Sequence, residues 1–225
     1  MSKRFYMLNN KQFVEFFDLQ YLDEYCSGVF SDELDKMGYK NQVINNLSIN
    51  KPSNRMFGKI RTLIIETIET PDENIKTGLN FLANLGNGEI LFVKGSYEFA
   101  YFGELMSRLS QEINLSGVVI DGLTRDTFYT KNIDLPIFSS GYTPKDIKGR
   151  GRVKEVDVSF CMHNVQINTG DYVFGDNDAC VIIPKIIIKE LSEKVNIAVA
   201  EENHIKKMIA KGQSVSEILK IAKEF

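Results

Sequence analysis

Hydrophobic and polar positions follow two patterns along the chain. Continuous apolar runs rich in β-branched residues occupy segments 56–68, 89–94 and 117–120, and such runs favour buried strands. Segments 10–38 and 72–85 instead carry apolar residues at helical spacing, which predicts helices. Strands mixed with helices, without internal repeats, predict one α/β domain with helical segments at both ends.

Local signals refine this outline. Ser31 precedes several carboxylates as an N-cap precedes a first helical turn, so a second helix is expected to begin there. Leu79, Leu82 and Leu85 are expected on one side of the helix at 72–85. The other predicted elements are short strands in a loop at 41–54, helices at 104–113 and 127–133, a strand at 135–141, and two strands within 153–168, one of them containing His163.

A hairpin is predicted at residues 170–184. Two apolar runs flank a turn at 175–178, where glycine and carboxylate residues tolerate tight backbone angles. Asp171, Asp176 and Asp178 crowd this turn, but their spacing lacks the EF-hand pattern. We therefore interpret the three carboxylates as turn residues and not as a calcium site.

Both ends of the chain are predicted to be helical. Pro184 opens a long amphipathic helix that is expected to end at Gly212, because glycine favours the left-handed C-terminal position. Ser214 and Glu217 then have the spacing of a capping box for a last short helix. Residues 1–24 are expected to form an N-terminal helical extension.

Composition narrows the functional classes. The chain has 225 residues and is 43% hydrophobic. Its net charge of −3 lacks the excess of basic residues that is typical of nucleic-acid-binding proteins, so no nucleic-acid partner is expected. No apolar run is long enough to span a bilayer, which predicts no membrane partner. Three widely spaced cysteines, and an N-terminus without the apolar core of a signal peptide, predict free thiols and a cytoplasmic location.

The stretch from Gly117 to Asp126 carries the first candidate chemistry. Asp121 and Gly122 are expected to turn the backbone, so that Arg125 and Asp126 emerge past the C-terminal end of a strand. Ligands of open α/β sheets usually bind at that edge, and an adjacent arginine and aspartate can bind an anion beside a hard cation. Considered alone, an ordinary turn with a surface ion pair is the more frequent outcome.

Gly103 is a second candidate, at the start of the predicted helix 104–113. Unpaired N–H groups and the positive end of the helix dipole make such a position suitable for an anion. The alternative is that Gly103 only lets the chain enter the helix, and the residue taken alone favours that alternative.

Other classes of site find little support. His163 and His204 have no nucleophile elbow nearby, and the chain contains no P-loop, no dinucleotide fingerprint and no His/Cys metal spacing. The remaining candidate is a site in which carboxylate side chains bind a hard metal ion. Its residues would be Glu104, Asp121 and Asp126, with Arg125 as the cation.

Seven segments between residues 25 and 220 resemble, in order, one known family: regulator of ribonuclease activity A and the 4-hydroxy-4-methyl-2-oxoglutarate (or 4-carboxy-4-hydroxy-2-oxoadipate) aldolases. The segments are 31–35, 55–62, 102–106, 117–126, 135–138, 170–179 and 181–184. The most specific feature is Gly103 followed, after twenty-one residues, by Arg125 and Asp126. The resemblance implies a single compact β/β/α sandwich domain over residues 1–225, assembled as a homotrimer or homohexamer.

The resemblance also implies a metal site. Asp126 would bind Mg²⁺ or Mn²⁺ directly, and Glu104 would hold a metal-bound water. A glutamate from the C-terminal helix of a neighbouring subunit would complete the shell through water. By its position that residue is Glu202, with Glu201 as the alternative.

A small 2-keto acid is the substrate that the resemblance implies. Arg125 would contact its keto-acid end, while Gly103 and the N–H groups of Leu105 and Met106 would bind its carboxylate. Glu104 would act as general base through water. The expected enzyme is a metal-dependent lyase that cleaves 4-hydroxy-2-oxo acids to pyruvate and decarboxylates oxaloacetate, both through a metal-stabilised pyruvate enolate.

Two alternatives remain open. One is a non-catalytic oligomer that binds a protein, as the ribonuclease regulators do. The other is a related lyase with a different keto-acid substrate. Lys94, Tyr129 and Ala179 depart from residues that are frequent at these positions in the family, and these departures bear on substrate identity.

Overall fold

The computed structural model describes residues 11–69 and 76–221. Its helices are α1 (Lys11–Phe16), α2 (Ser27–Lys36), α3 (Lys76–Ala83), α4 (Glu104–Glu112), α5 (Thr127–Thr130), α6 (Ile188–Ala210) and α7 (Val215–Ile218), with a 3₁₀ turn at Leu19–Tyr21. Its strands are β1 (Val43–Ile44), β2 (Ser48–Ile49), β3 (Met56–Thr67), β4 (Ile90–Lys94), β5 (Ala100–Phe102), β6 (Gly117–Thr124), β7 (Ile137–Tyr142), β8 (Gly151–Val156), β9 (Phe160–Met162), β10 (Val165–Ile167), β11 (Tyr172–Gly175) and β12 (Cys180–Ile183).

Ten of these strands form one mixed sheet. Their order is β1-β12-β11-β3-β4-β6-β7-β2, with β5 also paired to β6 and β8 to β3. Strands β3, β4, β6 and β7 run parallel, as does β5 beside β6. The central strands β4 and β6 are buried on both faces, which explains why their sequences are apolar without alternation.

Helices cover one face of the sheet and a second, two-stranded sheet covers the other. Alternation along β4 sends Leu91 and Val93 towards α3 and sends Phe92 to the opposite face. On that opposite face, β9 and β10 pair antiparallel and pack their apolar side chains over Phe92 and Val119. This layering is the β/β/α sandwich predicted from the sequence.

Aromatic packing fixes the N-terminal helices. The six-residue helix α1 is too short to be stable alone. Its Phe13 is fully buried and meets the rings of Tyr25 and Phe57 edge-on, at centroid distances of 5.3 and 5.6 Å. Phe30 of α2 stacks on Phe174 at 4.4 Å. Tertiary contacts with the sheet and with α6 therefore hold this end of the chain in place.

Several predictions from the sequence are confirmed. The strands expected at 56–68 and 89–94, the hairpin at 170–184, and the short strands within 41–54 are all present. The long C-terminal helix is α6; Gly212 beyond it has a φ of +72°, and the Ser214–Glu217 capping box is formed.

Among residues 11–69 and 76–221, no helix combines the length and apolar character needed to cross a membrane.

The predicted start of the second helix is wrong. Helix α2 begins at Ser27, four residues before the expected cap at Ser31. The N–H of Ser27 donates to the Asp176 carboxylate at 2.7 Å, so the residue that caps this helix comes from the distant β11–β12 turn. Asp176 also accepts from the N–H of Asp178 at 3.0 Å, in agreement with the interpretation of this segment as a turn.

Other predicted boundaries also change. Segment 153–168 contributes three strands instead of two, and His163 lies in the β9–β10 turn with a φ of +47°. Helix α3 spans 76–83, its predicted start lies outside the described residues, and Leu79 is exposed instead of facing the core. Asp121 and Gly122 do not end their strand: β6 continues to Thr124 through a register shift after Ile120.

Candidate active site

Strand pairing brings the two candidate segments together. Strand β5 lies beside the end of β6, with Phe102 opposite Thr124, and the N–H of Arg125 donates to the carbonyl of Phe102 at 3.1 Å. Gly103 follows β5 and Asp126 follows Arg125. The start of α4 and the end of β6 therefore meet at one point of the sheet edge.

Gly103 makes this close approach sterically possible. Its backbone is extended, with a φ of −156°, so the conformation itself does not require glycine. A Cβ built there would overlap the Asp126 carboxylate and lie 2.8 Å from Cγ of Arg125. Glycine is needed because two charged side chains occupy the space that any side chain would fill.

Asp126 adopts a left-handed backbone conformation. Its φ of +60° and ψ of +44° are uncommon for residues other than glycine, asparagine and aspartate. Its carbonyl accepts from the N–H groups of Tyr129 and Thr130, which begins α5 and holds the conformation. The result is that the carboxylate is aimed back at α4, and backbone strain of this kind is frequent at functional sites.

The first turn of α4 presents main-chain donors at this point. The N–H of Glu104 donates to Oδ2 of Asp126 at 2.9 Å. The N–H of Ser107 returns to the carbonyl of Gly103, while no described residue accepts from the N–H groups of Leu105 and Met106. Those two donors, at the positive end of the helix dipole, can receive an anion.

Arg125 lies between two carboxylates. Its Nε is 3.4 Å from Oδ2 of Asp126, and its Nη1 is 3.1 Å from Oδ2 of Asp146. Asp146 was not predicted from the sequence; it lies in segment 143–152, which runs from the end of β7 into β8. Its only sequence signal was being the sole acidic residue among four basic ones.

Glu104 is paired within its own helix. Its Oε1 accepts from Nε and Nη2 of Arg108 at 2.9 and 2.7 Å. Arg108 also lies over the ring of Tyr129, 4.3 Å from the centroid, and its hydrogen bonds to Glu104 raise its pKa above the usual value. Tyr129, one of the departures noted above, therefore supports the arginine that holds Glu104.

A protein-family model described as RraA-like (Aldolase/RraA) matches residues 28–182, which contain every element of this site. The chain belongs to the RraA-like family. This RraA-like protein is 29% identical, over 133 residues, to the 4-hydroxy-4-methyl-2-oxoglutarate aldolase of Thermus thermophilus; the match covers 58% of this chain and 77% of that protein.

Two further proteins are similar to this chain. An uncharacterised protein of Methanocaldococcus jannaschii is 30% identical over 128 residues, or 57% of this chain, and the match spans only 61% of its length. Streptomyces coelicolor RraAS2, described as an unusual member of the RNase ES inhibitor RraA protein family, has a TM-score of 0.71 at 21% identity. That superposition covers 84% of this chain and 96% of the other, and it shows a shared fold.

Asp121 does not belong to the group that the sequence analysis assembled. Its Oδ1 accepts from the hydroxyl of Tyr97 at 2.6 Å and lies 3.6 Å from Nε2 of His163. It shares a sheet face with Val119, under the β9–β10 layer. Among residues 11–69 and 76–221 of this RraA-like chain, no three His, Cys, Asp or Glu side chains cluster as metal ligands.

The predicted cross-subunit glutamates lie elsewhere in the protomer. Glu202 is on α6, which packs against α1 and α2, and its Oε2 is 3.7 Å from Nζ of Lys206. Lys206 in turn donates to Glu24 at 2.7 Å. Glu201 is exposed on the same helix.

The residues around Asp126 fit a hard divalent cation. Only Oδ2 of Asp126 is engaged by described residues, so Oδ1 can bind a metal while the carboxylate keeps its contact with α4. Because Gly103 has no side chain, the Asp126 carboxylate can occupy the space that a Cβ would fill. Because Mg²⁺ keeps several waters, one direct carboxylate is a suitable protein ligand set.

Proposed function

We propose that this RraA-like protein is a divalent-metal-dependent lyase that releases pyruvate from 4-hydroxy-2-oxo acids and decarboxylates oxaloacetate. The observation that supports this most is the convergence of the Asp126 carboxylate, the Arg125 guanidinium and the N–H groups of α4. The name of the Thermus thermophilus relative supports the same reaction class.

Asp126 would hold Mg²⁺ or Mn²⁺ through Oδ1. Glu104, and Glu202 of a neighbouring subunit, would support the cation through water. A bound cation would withdraw the negative charge that develops on the substrate's keto oxygen as the carbon–carbon bond breaks. Three free cysteines support a reducing compartment such as the cytoplasm as the place of action.

Arg125 and the α4 amides would orient the keto acid. The N–H groups of Leu105 and Met106 would bind the C1 carboxylate, as anions bind at helix N-termini. Arg125, fixed by its two carboxylate contacts, would place a permanent positive charge beside the keto oxygen. Both groups are in position before the reaction, so they would stabilise the transition state without rearranging.

Glu104 would move the proton. Its Oε1 is occupied by Arg108, which leaves Oε2 to accept the 4-hydroxyl proton through water and later to return a proton to the enolate carbon. Arg108 would thereby keep the carboxylate oriented. For oxaloacetate the bond cleaved is the one to the carboxylate that leaves as CO₂, and no proton is removed first. A water held by Glu104 would supply the proton that the enolate carbon takes up.

A homotrimer or homohexamer is the proposed assembly. Apolar side chains next to the site are exposed in the protomer: Leu105 by 73%, Leu109 by 44% and Phe128 by 94%. Apolar side chains grouped on a surface mark interaction sites. Contact between subunits at this face would enclose the pocket and bring the C-terminal helix of one protomer towards the Asp126 of another.

Pyruvate release tests the proposal. Oxaloacetate, 4-hydroxy-4-methyl-2-oxoglutarate and a panel of other 4-hydroxy-2-oxo acids would be incubated with the protein and Mg²⁺. Activity should disappear with EDTA and fall at least about 100-fold in Asp126→Asn. Asparagine tolerates the left-handed conformation and can still accept from Glu104, so the fold should persist. Asp134→Asn, which removes a surface carboxylate paired with Lys51, is the control.

A protein-binding regulator is the second candidate. It is favoured by the resemblance to RraAS2 and by the satisfied Asp126 Oδ2, which caps α4 by itself. Under this alternative, calorimetry would detect no binding of Mg²⁺ or Mn²⁺, no panel substrate would yield pyruvate, and a purified ribonuclease would bind stoichiometrically. Metal-dependent pyruvate release that is lost in Asp126→Asn would exclude it as the sole function.

A further inference from the structure

Arg125 has its guanidinium fixed from two sides. Asp126 contacts Nε and Asp146 contacts Nη1, at 3.4 and 3.1 Å. No described residue accepts a hydrogen bond from Nη2, which leaves that nitrogen available to a ligand. Of the two carboxylates, Asp146 makes the shorter contact, and Asp126 is the one that the proposed function assigns to a cation.

Asp146 is itself held by strand β5. The N–H of Ala100 donates to the carbonyl of Lys145 at 2.9 Å, and the N–H of Ile147 donates back to Ala100 at 3.1 Å. These bonds form a parallel bridge between Ala100 and Asp146. Because β5 also leads into Gly103, one strand sets the positions of both Asp146 and the start of α4.

The charge of the surrounding loop gives Asp146 a specific task. Residues 143–152 contain four basic side chains and a single acidic one. Nη1 of Arg150 donates to the main-chain carbonyl of Asp146 at 3.1 Å, so a second guanidinium lies beside this residue. Without the Asp146 carboxylate, this loop would repel Arg125 instead of attracting it.

We propose that Asp146 is a positioning residue that orients Arg125 towards the keto-acid substrate. The inference rests on the proposed function for its substrate, but the orientation of Arg125 by Asp146 can be measured without turnover. Asp146 acts through Arg125: its ion pair with Nη1 restricts the rotation of the guanidinium and keeps that charge beside the Asp126 carboxylate. The Asp146 carboxylate also offsets part of the positive charge of segment 143–152. That charge would otherwise attract an anionic substrate to the loop and away from the site.

The variants are Asp146→Asn, Asp146→Glu and a matched control, Glu66→Gln. Glu66 accepts from Nε of Arg152 at 2.7 Å, and its side chain is 30% exposed, as is that of Asp146. The Nε–H resonance of Arg125, assigned by its loss in Arg125→Lys, reports the order of the guanidinium. Calorimetry with oxalate and Mg²⁺ measures anion binding, and steady-state kinetics separate kcat from KM.

In Asp146→Asn the Arg125 resonance should broaden or exchange rapidly, oxalate should bind more weakly, and kcat/KM should fall about 10- to 100-fold, mainly through kcat. Asp146→Glu should recover most of each loss, and Glu66→Gln should change none. An unchanged Arg125 resonance together with unchanged oxalate affinity in Asp146→Asn would overturn the inference. If the wild type releases no pyruvate while the resonance still depends on Asp146, the proposed function fails and the positioning role stands.

Discussion

At the scale of single residues, the backbone at Gly103 and Asp126 determines where the charged groups of the site lie. Gly103 leaves room for two side chains, and Asp126 pays a conformational cost to aim its carboxylate at α4. The sequence placed Gly103, Arg125 and Asp126 in one site only through the resemblance to a known family, because each residue considered alone favoured an ordinary turn or helix start. It could not predict the left-handed Asp126 or the Asp146 contact, since both arise from tertiary packing.

Gly103→Ala should disable the site while the fold persists. An extended φ suits alanine, but the added Cβ must displace the Asp126 carboxylate and Arg125. We expect lyase activity to fall about 100-fold, as a misplacement near 1 Å can produce, with a destabilisation of about 1–2 kcal/mol. Gly28→Ala is the control. Its Cβ would meet only Sγ of Cys26 at 3.8 Å, so activity should be unchanged.

Tyr25→Phe should reveal a pH-dependent contribution to stability. The Tyr25 hydroxyl donates to Oδ1 of Asn196 at 2.6 Å, and burial raises its pKa to about 12. The unfolded chain ionises this group near 10, so the wild type should lose stability as the pH rises from 10 to 12. At pH 7 the variant should be about 1 kcal/mol less stable.

Urea denaturation at several pH values measures this difference. The gap between the wild type and Tyr25→Phe should be constant below pH 9 and shrink above pH 10, because the variant has no proton to lose at this position. A gap that stays constant to pH 11.5 would show that Tyr25 titrates alike in the folded and unfolded states.

At the scale of elements, local signals located most helices and strands but not their boundaries. The β11–β12 hairpin and the α7 capping box follow from nearby residues, so the sequence predicted them. Helix α2 begins early because Asp176, 149 residues away in sequence, accepts from the N–H of Ser27. The sequence pattern did not predict β9 and β10 as a pair of short strands, because the register of this pair is set by the sheet beneath it.

An ion pair should hold that β9–β10 layer to the main sheet. Arg61 of β3 donates to both oxygens of Asp157 at 2.7 and 2.6 Å, and Asp157 follows β8 in a left-handed conformation, at the start of the connection to β9. Asp157→Asn preserves the conformation but removes the charge. We expect a loss of about 1 kcal/mol, since the pair is partly exposed, and faster hydrogen exchange in residues 160–167.

Asp23→Asn is the matched control for this element. It removes the charge of an arginine-paired aspartate whose side chain is 72% exposed, so its effect should be within about 0.5 kcal/mol. Unchanged exchange in residues 160–167 of Asp157→Asn would mean that apolar packing alone holds the layer.

At the scale of the whole molecule, the sheet order shows what a single sequence leaves open. Strand β3 is predicted by its apolar run, yet its partners β11, β4 and β8 come from three distant parts of the chain. Their pairing creates the edge where β5, β6 and segment 143–150 meet. The resemblance to a known family supplied the β/β/α layering that residue patterns alone described only as α/β.

The proposed assembly predicts a defined mass. Sedimentation equilibrium at micromolar concentration should give three or six times the protomer mass of 25.6 kDa. The exposed Phe128, at 94%, should become protected in the assembly, so Phe128→Asp should lower the association state. A monomer of 25.6 kDa at these concentrations would contradict the assembly and the participation of Glu202 from a neighbouring subunit.

The central claim is that the Asp126 carboxylate holds a divalent cation beside Arg125. A crystal structure of the protein grown with Mn²⁺ and oxalate tests it most directly, because the anomalous signal locates the metal. We expect Mn²⁺ in contact with Asp126 and an oxalate carboxylate bound to the N–H groups of Leu105 and Met106. The proposed metal site would be contradicted by crystals from the same conditions in which Asp126 contacts only Glu104 and Arg125 and no anomalous peak lies in the pocket.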